Sequence, residues 1–245
     1  MGDAGGEELV RFVVSSRKRM RTLLHLRGGS ATLHSIKKAT NSSSSAIIPQ
    51  LRRLERRGLV TRNGRRYSLS YAGEVIAEHL HRLTATAEVF ERFPEFWSSH
   101  EISALPQEFR MRLYELGNYR VIKGDSTDPF VPHREYLKIL KEADWMMGVS
   151  PVLHPDYPEA VLNLARRGKK ISLILTEEVI EKIIQKYPEE LNEGIRYPNT
   201  TLMVCSDASV AFTVTDSFLS MMLPLAGGHV VDMYTSIISH EASAI

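Results

Sequence analysis

The sequence predicts an α+β winged helix-turn-helix N-terminal domain joined by a long helix to an α/β C-terminal domain. Three observations carry this expectation. Residues 40–73, TNSSSSAIIPQLRRLERRGLVTRNGRRYSLSYAG, place a serine-rich entry, an arginine-rich amphipathic helix, a glycine stop and two short strands in that order. The net charge of +2 conceals a division: residues 1–66 hold 15 Lys/Arg against 4 Asp/Glu, and the remainder holds 16 against 25. Past residue 143, strand-like and helix-like runs alternate, which implies a parallel crossover unit. A length of 245 residues accommodates two modest cores.

The elements follow in order. Glu7–Val14 reads as a short helix. Ser16 caps a second, in which Met20, Leu23 and Leu24 form an apolar stripe, and Gly28-Gly29 stops it. Thr32 caps a short helix with Leu33, Ile36 and Ala39 turned inward, and Thr40-Asn41-Ser42 makes the turn. The next helix begins at one of Ser43 to Ser45, where a hydroxyl can accept from a first-turn N–H. Its core face is Ile47, Leu51 and Leu54, spaced 4 and 3. Pro49 near its start removes at most one or two intrahelical bonds. Leu59–Arg62 and Tyr67–Leu69 are the wing strands, with Asn63-Gly64 as the tight turn.

Ser70 caps a long helix with Ile76, Leu80, Leu83, Ala87 and Phe90 at 4-3-4-3 spacing. That seam packs on the module or against the same helix of a second copy. Pro94 and residues 98–106 mark a hinge. The domains are therefore 1–73 for DNA binding, 74–100 for connection and dimerisation, and 101–245 for effector sensing or regulation. In the last, Ala143–Val149 and Lys169–Leu175 are strands, and Pro158–Arg167 and Glu177–Tyr187 are helices. Thr201–Cys205, Val210–Val214 and Val230–Ile238 complete the set.

Several classes are excluded. No apolar run reaches the roughly 18–20 residues that span a bilayer, so no membrane association is expected. The opening MGDAGGEE resembles neither a signal nor a transit peptide. One cysteine, Cys205, rules out an internal disulfide and a multi-cysteine zinc site, and a cytoplasmic location is expected. There is no GxxxxGK loop, GxSxG elbow or metal-ligand spacing; no catalytic residues, cofactor or metal are expected.

The basic half points to double-stranded DNA. A recognition helix enters the major groove and reads base edges from its N-terminal residues, here Ser43, Ser44, Ser45, Ile48 and Gln50. Gln50 suits a bidentate adenine contact and Ile48 a thymine methyl. Arg52, Arg53 and Arg56 lie further along and meet phosphates, while Arg65 and Arg66 on the wing reach phosphates or the minor groove. Arg57 either belongs to the same phosphate-facing run or, beside Gly58, complements the helix C-terminus.

The segments SSSSAIIPQLRRLERRGLV and RRYSLSYAGEVIAEHL resemble archaeal winged-helix regulators of the methanogenesis regulatory protein family. ADWMMGVSPVLHPDYPEAVLNLARRGKKISLILT and SDASVAFTVTDSFLSMMLPLAGG resemble that family's effector domain. The resemblance implies a transcription regulator, and chains of that family continue past the position of Ile245, which implies a truncated or shortened form. The effector domain also looks like a phospholipase D fold in non-catalytic use: His-x-Lys is absent, and His154 is followed by Pro155 and Asp156. Ser150, His154, Thr176, Thr215 and Asp216 fall near predicted strand ends, where α/β sheets bind ligands. A small-molecule or anion pocket is one reading of these five, with a turn or capping role favoured for each taken singly, and a homodimer on two-fold-related DNA is the expected assembly. His133, Trp145 and Met146–Met147 read as packing residues, and Cys205 as an inert thiol. A non-specific architectural DNA-binding protein and a phosphodiesterase are the alternative classes.

Overall fold

In the computed structural model, residues 3–241 are described; Met1, Gly2 and residues 242–245, with the expectation placed on Ile245, lie outside the described residues. Contacts divide the chain into two units, Met1–Ala85 and Thr86–Ile245.

The first unit contains α1 (Asp3–Val14), α2 (Arg17–Leu26), β1 (Ala31–Thr32), α3 (Leu33–Thr40), α4 (Ser44–Arg56), β2 (Val60–Asn63), β3 (Arg66–Leu69) and most of α5 (Tyr71–Arg92). Its strands form an antiparallel sheet in the order β1-β3-β2. Leu23, Ile36, Ile47, Leu51, Leu54 and Leu59 are fully buried in one cluster, each burial worth roughly 1.5–3 kcal/mol. The helices start where hydroxyls can cap them. Ser16 accepts from the Arg19 N–H at 3.4 Å, Thr32 from Ser35 at 3.3 Å, and Ser70 from Gly73 at 3.0 Å.

Four details differ from the sequence expectation. Ala39 is exposed, and Thr40 is buried one turn after Ile36, its hydroxyl donating to the Ile36 carbonyl at 2.8 Å. Helical spacing alone does not separate positions 39 and 40. Ser43 precedes α4 but makes no side-chain cap; its hydroxyl bonds that of Ser45 at 2.9 Å. The wing turn is centred on Gly64-Arg65, because Asn63 is already paired with Arg66. Gly64 takes the positive φ of 59°, as the first central residue of a type II′ turn requires. Finally, the seam of α5 is broken. Leu83 is 63% exposed and Ala87 is exposed, while Ala77 and Leu80 lie in the first core and Val89 in the second. The helix changes core along its length, so one stripe does not serve it throughout.

The second unit continues with α6 (Pro94–Ser99), α7 (Gln107–Arg110) between two short 3₁₀ turns, β4 (Tyr119–Lys123), α8 (Val131–Leu140) and β5 (Trp145–Ser150). Then come α9 (Tyr157–Arg166), β6 (Lys170–Thr176), α10 (Glu177–Lys186), α11 (Pro188–Gly194), β7 (Thr200–Cys205), β8 (Ala211–Thr215), β9 (Leu219–Met222) and β10 (Thr235–Ser239). They build a seven-stranded mixed sheet in the order β4-β10-β9-β8-β5-β6-β7. Only β5, β6 and β7 run parallel, joined by helical crossovers as the alternation predicts; β8 lies antiparallel to β5.

Of the residues read as a hinge, Pro94 and residues 98–106, His100 and Leu105 are buried, while Pro94, Ser98, Ser99, Ser103 and Pro106 are exposed; the helix between them is anchored in the core. Phe96 and Trp97 are buried, and the Trp97 indole donates to the Val89 carbonyl at 3.0 Å and the Tyr119 hydroxyl at 2.8 Å. Residues 94–100, expected to connect domains, thus pack within the second unit. Met146 is buried as expected. Met147, its neighbour on the opposite face of the strand, is 56% exposed, and Trp145 is half-buried. Cys205 is half-buried rather than enclosed.

Candidate nucleic-acid interface

The periodicity that buries Ile47, Leu51 and Leu54 sends the other positions of α4 outward. Ser45, Pro49, Arg52, Arg53 and Arg56 are exposed, spaced as one side of a helix. Pro49 lacks an N–H and sits within the helix, so the Ser45 carbonyl has no donor at the usual i+4 position. Pro49 is exposed and so forms part of the outer surface of α4. Ser43 is exposed beside Ser45, whereas Ser44 and Ile48 are half-buried.

Gln50 is placed differently from its assigned role. It is half-buried, and its side-chain oxygen accepts from Arg19 Nη1 at 2.8 Å. A bidentate adenine contact needs both the carbonyl and the amide group, and here the carbonyl is taken. Arg19 is 7% exposed. It also donates through Nε to the Phe12 carbonyl at 2.6 Å and through Nη2 to Ser15 Oγ at 3.1 Å, and it stacks over the Phe12 ring. Burial, then the charge of Arg53, lowers its pKa. This node between α1, α2 and α4 was missed because Arg19 looks like one more surface arginine. Its spacing of four from Leu23, on the buried side of α2, was the available signal.

The wing arginines divide as well. Arg66 donates to the Ser30 hydroxyl at 2.9 Å and to the Ser30 carbonyl, tying β3 to the loop before β1. Arg65 stands at the turn, exposed, with no hydrogen bond or ion pair among the described residues. Arg57, at the C-terminal end of α4, pairs with Glu8 and lies over Phe12.

The five expected ligand residues are not brought together. Ser150 and Thr176 end the parallel strands β5 and β6, whereas Thr215 pairs with Met146 near the start of β5. The antiparallel direction of β8 therefore carries Thr215 and Asp216 to the opposite end of the sheet. Thr215 is fully buried, and its hydroxyl accepts from the Ser217 and Phe218 N–H groups at 3.1 and 3.0 Å. Asp216 accepts from the Asp144 N–H at 2.7 Å. Both serve turns. Ser150 accepts from the Val152 N–H at 3.1 Å.

His154 stacks on His133 with centroids 4.6 Å apart. His133 is fully buried and shares a 2.6 Å hydrogen bond with the Tyr157 hydroxyl. Burial, reinforced by the neighbouring His154, pushes His133 down to about 4. Burial also lowers His154, against the charge of Asp156. Among the described residues no group of three or more His, Cys, Asp or Glu is placed to hold a metal ion. No described helix is long and apolar enough to cross a membrane.

Residues 129–245 match the family model for the middle domain of methanogenesis regulatory protein FilR1, and residues 7–92 match the model of the HVO_A0261 N-terminal domain. The chain is 24% identical over 241 residues to methanogenesis regulatory protein FilR1 of Methanothrix harundinacea (strain 6Ac), covering 96% of this chain and 54% of that protein. It thus spans about half the length of that curated relative. Among solved structures, an archaeal chromatin protein, TrmBL2, is similar at 13% identity and a TM-score of 0.42, over 100% of this chain and 94% of the other. An 8-amino-8-demethyl-D-riboflavin dimethyltransferase, RosA, from Streptomyces davawensis is similar at 13% identity and a TM-score of 0.28, over 82% of this chain and 64% of the other. Similarities at those scores bear on neither fold nor function here.

Proposed function

We propose that this chain is a DNA-binding transcriptional regulator whose first unit reads DNA and whose second unit senses an effector or holds a second copy. The observation that carries the reading is the outer side of α4. Arg52, Arg53 and Arg56 stand there exposed, and the nearest acid on the helix, Glu55, is half-buried off that side. Arg65 extends the basic surface onto the wing. The FilR1 middle-domain model and the curated relative support this reading, since both are named for a regulatory protein.

In this proposal Ser43, Ser45 and Pro49 approach base edges, and Arg52, Arg53, Arg56 and Arg65 meet phosphates. Ser44 and Ile48 contribute from the half-buried flank, and Gln50 and Arg66 hold the scaffold before they touch DNA. The assembly is a homodimer, supported by the exposed apolar residues Val75 and Leu83 on α5. The second unit is a non-catalytic, phospholipase-D-like effector domain, supported by the missing His-x-Lys at His154-Pro155-Asp156. A reducing cytoplasm suits its single thiol.

The test is selection of bound duplexes from a random pool by the full chain at one near-physiological salt concentration. Enrichment of an inverted repeat is expected. Uniform binding would replace the reading with an architectural one, and hydrolysis of a model phosphodiester that follows the protein through purification would refute the non-catalytic assignment.

A further inference from the structure

Helices α8 to α11 do not close completely on the sheet of the second unit. Between them lies a cavity of about 140 Å³, bounded by residues such as Leu140, Val161, Ile183 and Leu191 from the helices and Met146 and Leu202 from the strands. Protein interiors rarely leave voids much larger than a water molecule, and an unfilled one destabilises its surroundings. The cavity is partly open to the surface, and a largely apolar space of this size accepts molecules of about benzene size.

Its walls narrow the choice further. The rings of Tyr136, Tyr157 and Phe212 line it, which favours an aromatic guest through edge-to-face contacts. Glu190 is the single charged residue on the wall. Burial pushes the Tyr136 phenol up to about 12 and raises that of Tyr157 too, so both walls stay neutral. The Tyr136 hydroxyl already has a partner in Thr213 Oγ1 at 3.2 Å. Thr200 also borders the cavity, and its hydroxyl is shut off from solvent with no hydrogen-bond partner among the described residues. A buried hydroxyl without a partner carries a free-energy cost that a ligand group can remove.

We propose that this cavity is a ligand site for a small neutral aromatic molecule of benzene-to-phenol size, whose single hydrogen-bonding group meets the Thr200 hydroxyl. As the effector site of a regulator it rests on the functional reading above; as a binding site it stands alone. None of the five residues expected from the sequence except Ser150 borders it, because its recognition is nearly all apolar and strand-end polar residues do not report it.

The experiment is a titration of the full chain, labelled at methionine methyls, with toluene and with phenol, read by NMR. Met146 and Met222 line the cavity and are buried, whereas Met147 and Met203 are exposed and outside its lining. Saturable shifts at Met146 and Met222 only are expected, with a Kd below about 1 mM and phenol several-fold tighter than toluene. Thr200→Val, close to isosteric, should erase the preference for phenol and leave toluene binding intact. Leu202→Trp should fill the space and abolish both. Absence of saturable shifts, equal shifts at Met147, or a phenol preference that survives Thr200→Val would overturn the assignment. Should Leu202→Trp fail to fold, the first two arms decide. Loss of binding in this assay overturns the cavity site even where the duplex selection succeeds, so the two failures are separable.

Discussion

Arg19→Met removes the charged fork joining α1, α2 and α4 while keeping an unbranched stem of similar length. Arg19 donates to the Phe12 carbonyl, Ser15 Oγ and Gln50 Oε1 at 2.6, 3.1 and 2.8 Å. Hydrogen bonds from a charged group are worth roughly 1.5–3 kcal/mol each, so three give about 4–9 kcal/mol gross. The desolvation of a guanidinium that is 7% exposed offsets several kcal/mol of this. Gln50 is half-buried and can turn its oxygen to water, whereas the Phe12 carbonyl cannot easily do so. The expected net loss is about 2–3 kcal/mol, equivalent to roughly 30- to 150-fold in a local opening equilibrium. Hydrogen–deuterium exchange on the full chain reads it directly: peptides within 17–26 and 44–56 should lose protection by that factor, while those of β5 and β6 should not change. Arg19→Lys should fall between, since an ammonium cannot reproduce the planar fork. A change below threefold in both peptides would refute the account of Arg19 as a structural node and return it to the DNA-facing arginines.

Arg65→Ala should weaken binding to all duplexes alike and reduce the slope of log K against log salt by about 0.9. Arg66→Ala should change that slope less and lower the stability of the wing, because its guanidinium is engaged with Ser30; fluorescence anisotropy over a salt series distinguishes the two. Gly73→Ala should destabilise the first unit by at least about 1–3 kcal/mol, since a Cβ there would stand 1.9 Å from the Leu59 carbonyl oxygen; urea unfolding followed by circular dichroism measures it. The second unit should lose stability in acid. The His133 pKa is depressed to about 4 in the fold, against an unfolded value of about 6.5. The unfolded chain therefore binds the extra proton first. That contribution is complete above about pH 6.5 and declines as pH falls toward about 4, on the order of 3 kcal/mol in all. Tryptophan fluorescence, with both tryptophans in this unit, should show the decline, and His133→Gln should flatten it.

Much of the first unit was legible in the sequence because its signals are local. Caps at Ser16, Thr32 and Ser70, the 4-and-3 spacing of Ile47, Leu51 and Leu54, and the arginine run all act within a few residues of themselves. The crossover of β5, α9 and β6 followed in the same way from alternating patterns. Strands β4 and β9 escaped notice. Leu219–Met222 is buried throughout, and a strand covered on both faces shows no alternation to read.

Which arginine is scaffold and which is free surface was decided only by tertiary structure. Arg19, Arg52, Arg65 and Arg66 are chemically identical, and what separates them is a carboxamide 31 residues away for Arg19 and a serine 36 residues away for Arg66. The direction of β8, which parts Thr215 from Thr176, and the cavity beneath α8 to α11 likewise arise from long-range packing. Local sequence determines which residues face inward on each element; which elements then meet, and what space they leave, depends on contacts between residues far apart in the chain.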